Sequence, residues 1–171
     1  MKFKSLLLTL IMICSMMVVG CGTNSESEVD GENSTTDLTQ TEVNVDGIVV
    51  SIGDSMDSIR DTLGEIVDYS ESKSCLYNGY DKIYTYEDVV IITYPMEDGE
   101  YIASITVSSK DVELGCGVSI GDTTEDIKAS LGETNLIITQ TCYMFEKDDF
   151  GIACYLEGDV VTEVEIYSIA E

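Results

Sequence analysis

Apolar and polar positions fall into a pattern that occurs twice in this chain. Val50–Glu65 reads VSIGDSMDSIRDTLGE and Val118–Glu133 reads VSIGDTTEDIKASLGE. Each copy enters as a short apolar run, Ile48–Ile52 or Gly117–Ile120, and turns on Gly53-Asp54 or Gly121-Asp122. Ser55 and Thr123 stand where helix N-caps belong. Asp57 in one copy, and Glu125 and Asp126 in the other, occupy the first turn, where the helix dipole favours acids. Ile59 and Leu63, like Ile127 and Leu131, are spaced i, i+4 and share a helix face. Gly64 and Gly132 take the place of a terminating glycine. The pattern predicts two helices of about eight to ten residues each.

Strand signals follow each helix. Alternating apolar residues predict strands over Lys82–Glu87, Val89–Tyr94 and Tyr101–Val107, with a turn at Glu97-Asp98-Gly99. After the second motif they predict Thr141–Glu146, Phe150–Leu156 and Val160–Ile169, with turns at Lys147-Asp148-Asp149 and Glu157-Gly158-Asp159. The expected class is α+β: two tandem α-β-β-β repeats, over 47–112 and 113–171, forming an antiparallel sheet with short helices on one face.

The motif resembles that of the small lipoprotein subunit of the outer-membrane assembly machine. A tandem of such units resembles β-lactamase inhibitor protein. Asp81–Tyr86 (DKIYTY), with Thr93-Tyr94-Pro95 and Tyr101-Ile102 after it, is similar to lipoproteins of Gram-positive bacteria that carry the tandem. The resemblance covers most of Gly47–Glu171 and implies the architecture. Residues matching the partner contacts of either family are missing. So is the proline that often follows the first family's Leu-Gly-Lys, since Glu65-Ile66 and Glu133-Thr134 stand in its place.

Upstream, Lys2 and Lys4 precede an apolar run from Ser5 to Val19 that suits a signal peptide over 1–20. It ends in Val18-Val19-Gly20-Cys21, which resembles a bacterial lipobox. This implies cleavage before Cys21, attachment of diacylglycerol to its thiol, and a place at the extracytoplasmic face of the cell membrane. Two acyl chains suffice for stable anchoring. The stretch 21–46, rich in Ser, Thr, Asn and acids and without an aromatic residue, is expected to be a disordered tether.

Charge narrows the partners. Loss of Lys2 and Lys4 leaves six basic against 33 acidic residues, a net charge of −27. Nucleic acid and anionic headgroups are therefore excluded as partners, and cationic proteins are favoured. The chain has no histidine, which removes Ser-His-Asp and Cys-His catalysis and most zinc sites. Neither cofactor nor metal is expected. Glu97–Glu100 and Glu146–Asp149 lack EF-hand spacing and offer calcium weak sites at most. A carboxylate pair acting on wall glycan is the enzymatic alternative, and a structural envelope spacer is a third.

Cys14 leaves with the signal. Cys75, Cys116, Cys142 and Cys154 remain, an even number for an exported domain, so disulfides are expected. Cys142 and Cys154 lie symmetrically about Asp148, which favours Cys142–Cys154 with Cys75–Cys116 over free buried thiols. With Cys142, Met144, Ile152 and Cys154 inward, alternation places Tyr143, Phe145, Ala153 and Tyr155 outward. With Val160, Val164 and Ile166 inward, Glu163, Glu165 and Tyr167 are outward. The expected protein-binding face is Tyr143, Phe145, Tyr155, Glu163, Glu165 and Tyr167, with Tyr84 and Tyr86. The whole reading is a non-catalytic surface lipoprotein that binds an envelope protein, as an inhibitor or assembly factor.

The intact mass of native protein from membranes is expected to be that of a diacylglycerol-modified chain beginning at Cys21. An unmodified chain starting elsewhere would remove the anchor.

Overall fold

The computed structural model describes residues 38–169. The signal, Cys21 and the first part of the expected tether lie outside that range. Among the described residues no helix is long and apolar enough to cross a membrane.

The chain enters the fold before Gly47. Glu42–Val45 (β1) and Ile48–Ser51 (β2) form an antiparallel hairpin, with Val43 opposite Val50 and Val45 opposite Ile48. Asp46 and Gly47 make the turn, both with positive φ (51° and 86°). Two such residues are what a tight hairpin matched to strand twist requires. Val43 and Val45 point into the core, so the end of the segment taken as tether is a strand. The short β7 (Glu113–Leu114) pairs with β1 and completes a three-stranded sheet.

The rest is a mostly antiparallel β structure with two short helices, α1 (Met56–Ile59) and α2 (Thr124–Leu131). Four strands follow α1, not three: β3 (Asp68–Lys73), β4 (Tyr80–Thr85), β5 (Val89–Met96) and β6 (Gly99–Val107). Four also follow α2: β8 (Leu136–Ile138), β9 (Cys142–Lys147), β10 (Phe150–Glu157) and β11 (Val160–Ser168). All eight join one sheet in the order β3-β4-β5-β6-β11-β10-β9-β8. The additional strands are its two edges. β3 (DYSESK) is exposed at every position, and β8 has only three residues. Neither carries the alternation that marks a half-buried strand.

The two motifs do the same physical work. Gly53 (φ 83°) and Gly121 (φ 99°) adopt backbone that disfavours other residues. The amide of Gly53 donates to the Ile102 carbonyl, and that of Gly121 to Val161, both at 2.8 Å. Ile102 and Val161 donate in return to the carbonyls of Asp54 and Asp122. The Asp54 and Asp122 side chains accept from the Ser51 and Ser119 amides, at 2.8 and 2.7 Å. Each turn is thus locked onto the last strand of its own half. In both halves a register irregularity lies beside that junction, at Ile92/Thr93 and at Tyr155/Leu156.

The helices differ in length because their caps differ. Thr123 and Asp126 form a capping box. The residue matching Asp126 is Ser58, whose hydroxyl donates back to the Ser55 carbonyl, and Ser55 makes no side-chain cap. Asp61 and Thr62 replace the better helix formers Ala129 and Ser130, so α1 stops after four residues. Ile127 and Leu131 are buried together on α2. Leu63 reaches the core from beyond the end of α1.

One apolar cluster joins the helices and the three-stranded sheet to one face of the large sheet. It includes Val43, Val50, Met56, Ile127, Val118, Ile91, Ile105, Val164 and Ile166. We call this the covered face and the other the open face.

Register corrects several sequence expectations. The β9–β10 turn holds two residues, Asp148 and Asp149, so Lys147 pairs with Phe150 and Cys142 with Tyr155. The mirror point lies between 148 and 149, one half-step from where a three-residue turn would place it. Every β9 side chain is therefore on the opposite face to the one expected. Tyr143 and Phe145 belong to the core, while Cys142 and Met144 stand on the open side. Cys142 and Cys154 then point to opposite faces, and no two described cysteines are within disulfide distance. The expected bridges do not form in this structure. All four thiols are free, with Cys75 exposed and the others buried. Burial pushes the Cys154 thiol up to about 12, which leaves it unreactive. Past the bulge at Tyr155/Leu156, Val161 rather than Val160 is the buried residue.

Asp54→Ala and Asp122→Ala should each lower stability by about 1–2 kcal/mol, read as a shift in urea midpoint, because each orphans a backbone amide. Asn at either position should recover most of the loss, because its amide oxygen accepts the same backbone N–H.

Candidate binding face

Antiparallel partners share a face, so the ladders identify what the open face presents. One row across the sheet runs Ile137, Met144, Ala153, Glu165, Thr106, Val90, Thr85 and Asp68. The next runs Glu146, Gly151, Tyr167, Ser104, Ile92, Ile83 and Ser70. Tyr155 and Glu163 pair beside them. Of the residues expected on this face, Tyr155, Glu163, Glu165 and Tyr167 stand there.

Two phenol–carboxylate pairs shape this surface. The Tyr155 hydroxyl donates to Glu165 at 3.1 Å, and the Tyr167 hydroxyl donates to Glu146 at 3.3 Å. Burial, with the charge and hydrogen bond of Glu165, pushes the Tyr155 phenol up to about 12. Burial and Glu146 raise Tyr167 in the same direction. Both stay protonated donors at neutral pH. The Tyr167 ring lies over Gly151, where a Cβ would overlap it. A glycine in mid-strand is thus covered by its cross-strand neighbour. Ser104, 5% exposed, has a hydroxyl without a partner in the same row.

The charges on the open face have one sign. Asp68, Asp81, Glu146, Glu163 and Glu165 point from it. Lys73, Lys82 and Lys147, the basic residues of the strands, are in register with covered-side residues.

At one end of this face lies a groove of about 470 Å³, lined by the loop 74–77, Asp81, Ile92, Tyr94, Ala103 and Asp149, with Ile52 and Ile169. The Ser74 hydroxyl accepts the Leu76 and Tyr77 amides, and the Ser74 amide donates to the Gly79 carbonyl. Gly79 (φ 150°) passes so close to Pro95 that a Cβ would collide with its ring. The loop is thereby pinned, and Tyr77 stacks on Tyr94 with centroids 5.1 Å apart. Sequence reasoning missed this groove. Its signal was the Asn78-Gly79 turn beside Tyr77.

Tyr84 and Tyr86, also expected on the binding face, are 2% and 4% exposed and belong to the covered side. The Tyr86 hydroxyl donates to the Arg60 carbonyl at 3.3 Å, closing the end of α1. The Arg60 guanidinium sits 5.8 Å from the Tyr84 ring centre. Tyr84 also donates to Glu100 (3.3 Å), which accepts from Lys82 (2.5 Å) and from Thr93.

Glu100 is 6% exposed, the one buried carboxylate among the described residues. Burial alone would push its carboxyl up. The hydrogen bonds from Lys82, Thr93 and Tyr84 outweigh that and hold it below its ordinary value. A glycosidase acid needs the opposite shift, and both oxygens of Glu100 are already engaged. Its geometry is that of a structural counter-ion. Turned inward, it also has no oxygen to offer a cation at Glu97–Glu100.

No family model matches this chain, nor does any curated protein or solved structure.

The lowered Glu100 carboxyl sets a pH dependence. Its stabilisation is fully present above the unfolded value of 4.5 and is lost as pH falls through the lower folded value. Glu100→Ala should cost roughly 2–3 kcal/mol at neutral pH. In acid-titrated urea melts, the gap between wild type and variant should narrow below pH 4.5.

Proposed function

We propose that this protein is a lipoprotein, anchored through Cys21 at the extracytoplasmic face of the cell membrane. Its open sheet face binds an envelope protein, as an inhibitor or an assembly factor, without catalysis. The observation that carries the reading is the face that the described residues leave uncovered. An eight-stranded sheet is sealed on one side and presents tyrosines, aliphatic residues and carboxylates on the other. Tyrosines anchor protein interfaces because each adds a large rigid contact and a hydroxyl at small entropic cost. Tyr155, 37% exposed, and Tyr167 lie near the middle of that surface.

The finer architecture belongs to the same proposal. We read the domain as α+β, two tandem copies of one unit, each a helix and then four strands. The central register supports this. Val107 pairs with Val164 and Ile105 with Ile166, a pattern unchanged when the halves are exchanged about Thr106–Glu165. Matching positions agree in role. Tyr84 and Tyr143 occupy equivalent sites on the covered side, near Arg60 of α1's cap and Lys128 of α2.

Tyr155→Ala with Tyr167→Ala should leave the far-ultraviolet circular dichroism unchanged. It should abolish retention of a partner from detergent-solubilised envelope on the immobilised lipidated protein. Equal retention by both proteins would exclude this face.

A further inference from the structure

The groove on the open face indicates the chemistry of what enters it, on the reading that this face binds protein. Its wall carries a pair of aromatic rings, Tyr77 stacked on Tyr94. Tyr101 lies behind them, outside the lining, with its centroid 6.0 Å from that of Tyr94. Leu76 and Tyr77 are offered to solvent, at 76% and 37% exposure. Among the described residues, the only ionisable side chains at its margin besides tyrosine are Asp81 and Asp149, and no lysine or arginine lines it. Nor does any strand cation point from the face it opens on.

Three physical consequences follow. The faces of the tyrosine rings attract a cation through their quadrupole. Two carboxylates without a basic neighbour add to that attraction and reject an anion. The pinned loop means little ordering is left to be done on binding. An aliphatic stem would lie along Leu76 and Ile92 with its charged head between ring and carboxylate, as long basic side chains do on mixed surfaces.

We propose that this groove receives a lysine or arginine side chain from a basic segment of the partner protein. Arginine suits it better, because the planar guanidinium both stacks on tyrosine and meets carboxylate with paired donors.

The test is calorimetric titration of the full-length lipidated protein in detergent with an octapeptide of alternating arginine and leucine. The control peptide replaces arginine with neutral citrulline. The arginine peptide should bind about tenfold more tightly than the control. Tyr77→Ala, and Asp81→Asn with Asp149→Asn, should each weaken it by about the same factor. Tyr77→Phe should bind like wild type, since it keeps the ring, and binding should weaken as salt rises. Equal affinity for the two peptides, or binding untouched by the Tyr77 and Asp81/Asp149 changes, would overturn the proposal. If the peptide fails but Tyr155→Ala/Tyr167→Ala still abolishes partner retention, the groove is wrong and the face stands. If the peptide behaves as expected while that double variant retains the partner, the groove stands and the face reading falls.

Discussion

The structure depends on one strand pairing. β6 and β11 meet through Ser104–Val107 and Val164–Tyr167, and among the described residues no other strand pairing joins the four strands after α1 to the four after α2. Each set alone offers a short helix and half a sheet, too little apolar surface to offset the entropy of ordering it. Joined, they place Ile91, Ile105, Val107, Val164, Ile166, Ile152 and Cys154 on one continuous covered surface, long enough for both helices and the β1-β2-β7 sheet to bury. The same pairing is distant in sequence. Local hairpins therefore form at lower entropic cost than the join between them. The Gly-Asp turns work against that cost, because each holds the final strand of its half in the extended form it needs to meet the other.

Much of this could be read from residues, and the failures have specific causes. The motif Ser-Ile-Gly-Asp announced its turns, and the sequence alternation of β5, β6 and most of β11 agrees with their burial, while that of β10 agrees with the faces its ladders assign. β1 was hidden because acidic and polar neighbours outweigh its two valines in composition, although Val43, Val45 and the Asp46-Gly47 turn form a complete hairpin signal. β3 was hidden because an edge strand exposed on both faces needs no apolar residue. The reversal of β9 came from one residue in turn length. Cys142-Tyr143-Met144-Phe145 has acceptable core residues in either phase, so hydrophobicity could not choose between them. Asp148, with φ at 49°, marks the tight turn that does choose.

The candidate face was legible only in part for the same reason. Tyr155, Glu163, Glu165 and Tyr167 came from strands whose phase is unambiguous. Tyr84 and Tyr86 did not, because a tyrosine says little about side. Its ring suits the core and its hydroxyl needs only one acceptor, which the Arg60 carbonyl supplies to Tyr86 and Glu100 to Tyr84. The groove lay beyond sequence reasoning because its walls come from a loop, four strands and two turns that only the tertiary register brings together.

The sheet's two edges bear on how many copies can share a surface. Proteins tethered in a plane, as proposed above, meet far more often than the same number free in solution, and an unpaired strand is a template for joining them. Here β8 offers only three residues, too few to hold a neighbour by backbone hydrogen bonds alone. β3 offers six, but Asp68, Glu71 and Lys73 punctuate it, and a second copy would bring its own negative field with it. Crowding in the membrane plane should therefore leave these domains as separate particles, each with its open face unobstructed, rather than a fused lateral sheet.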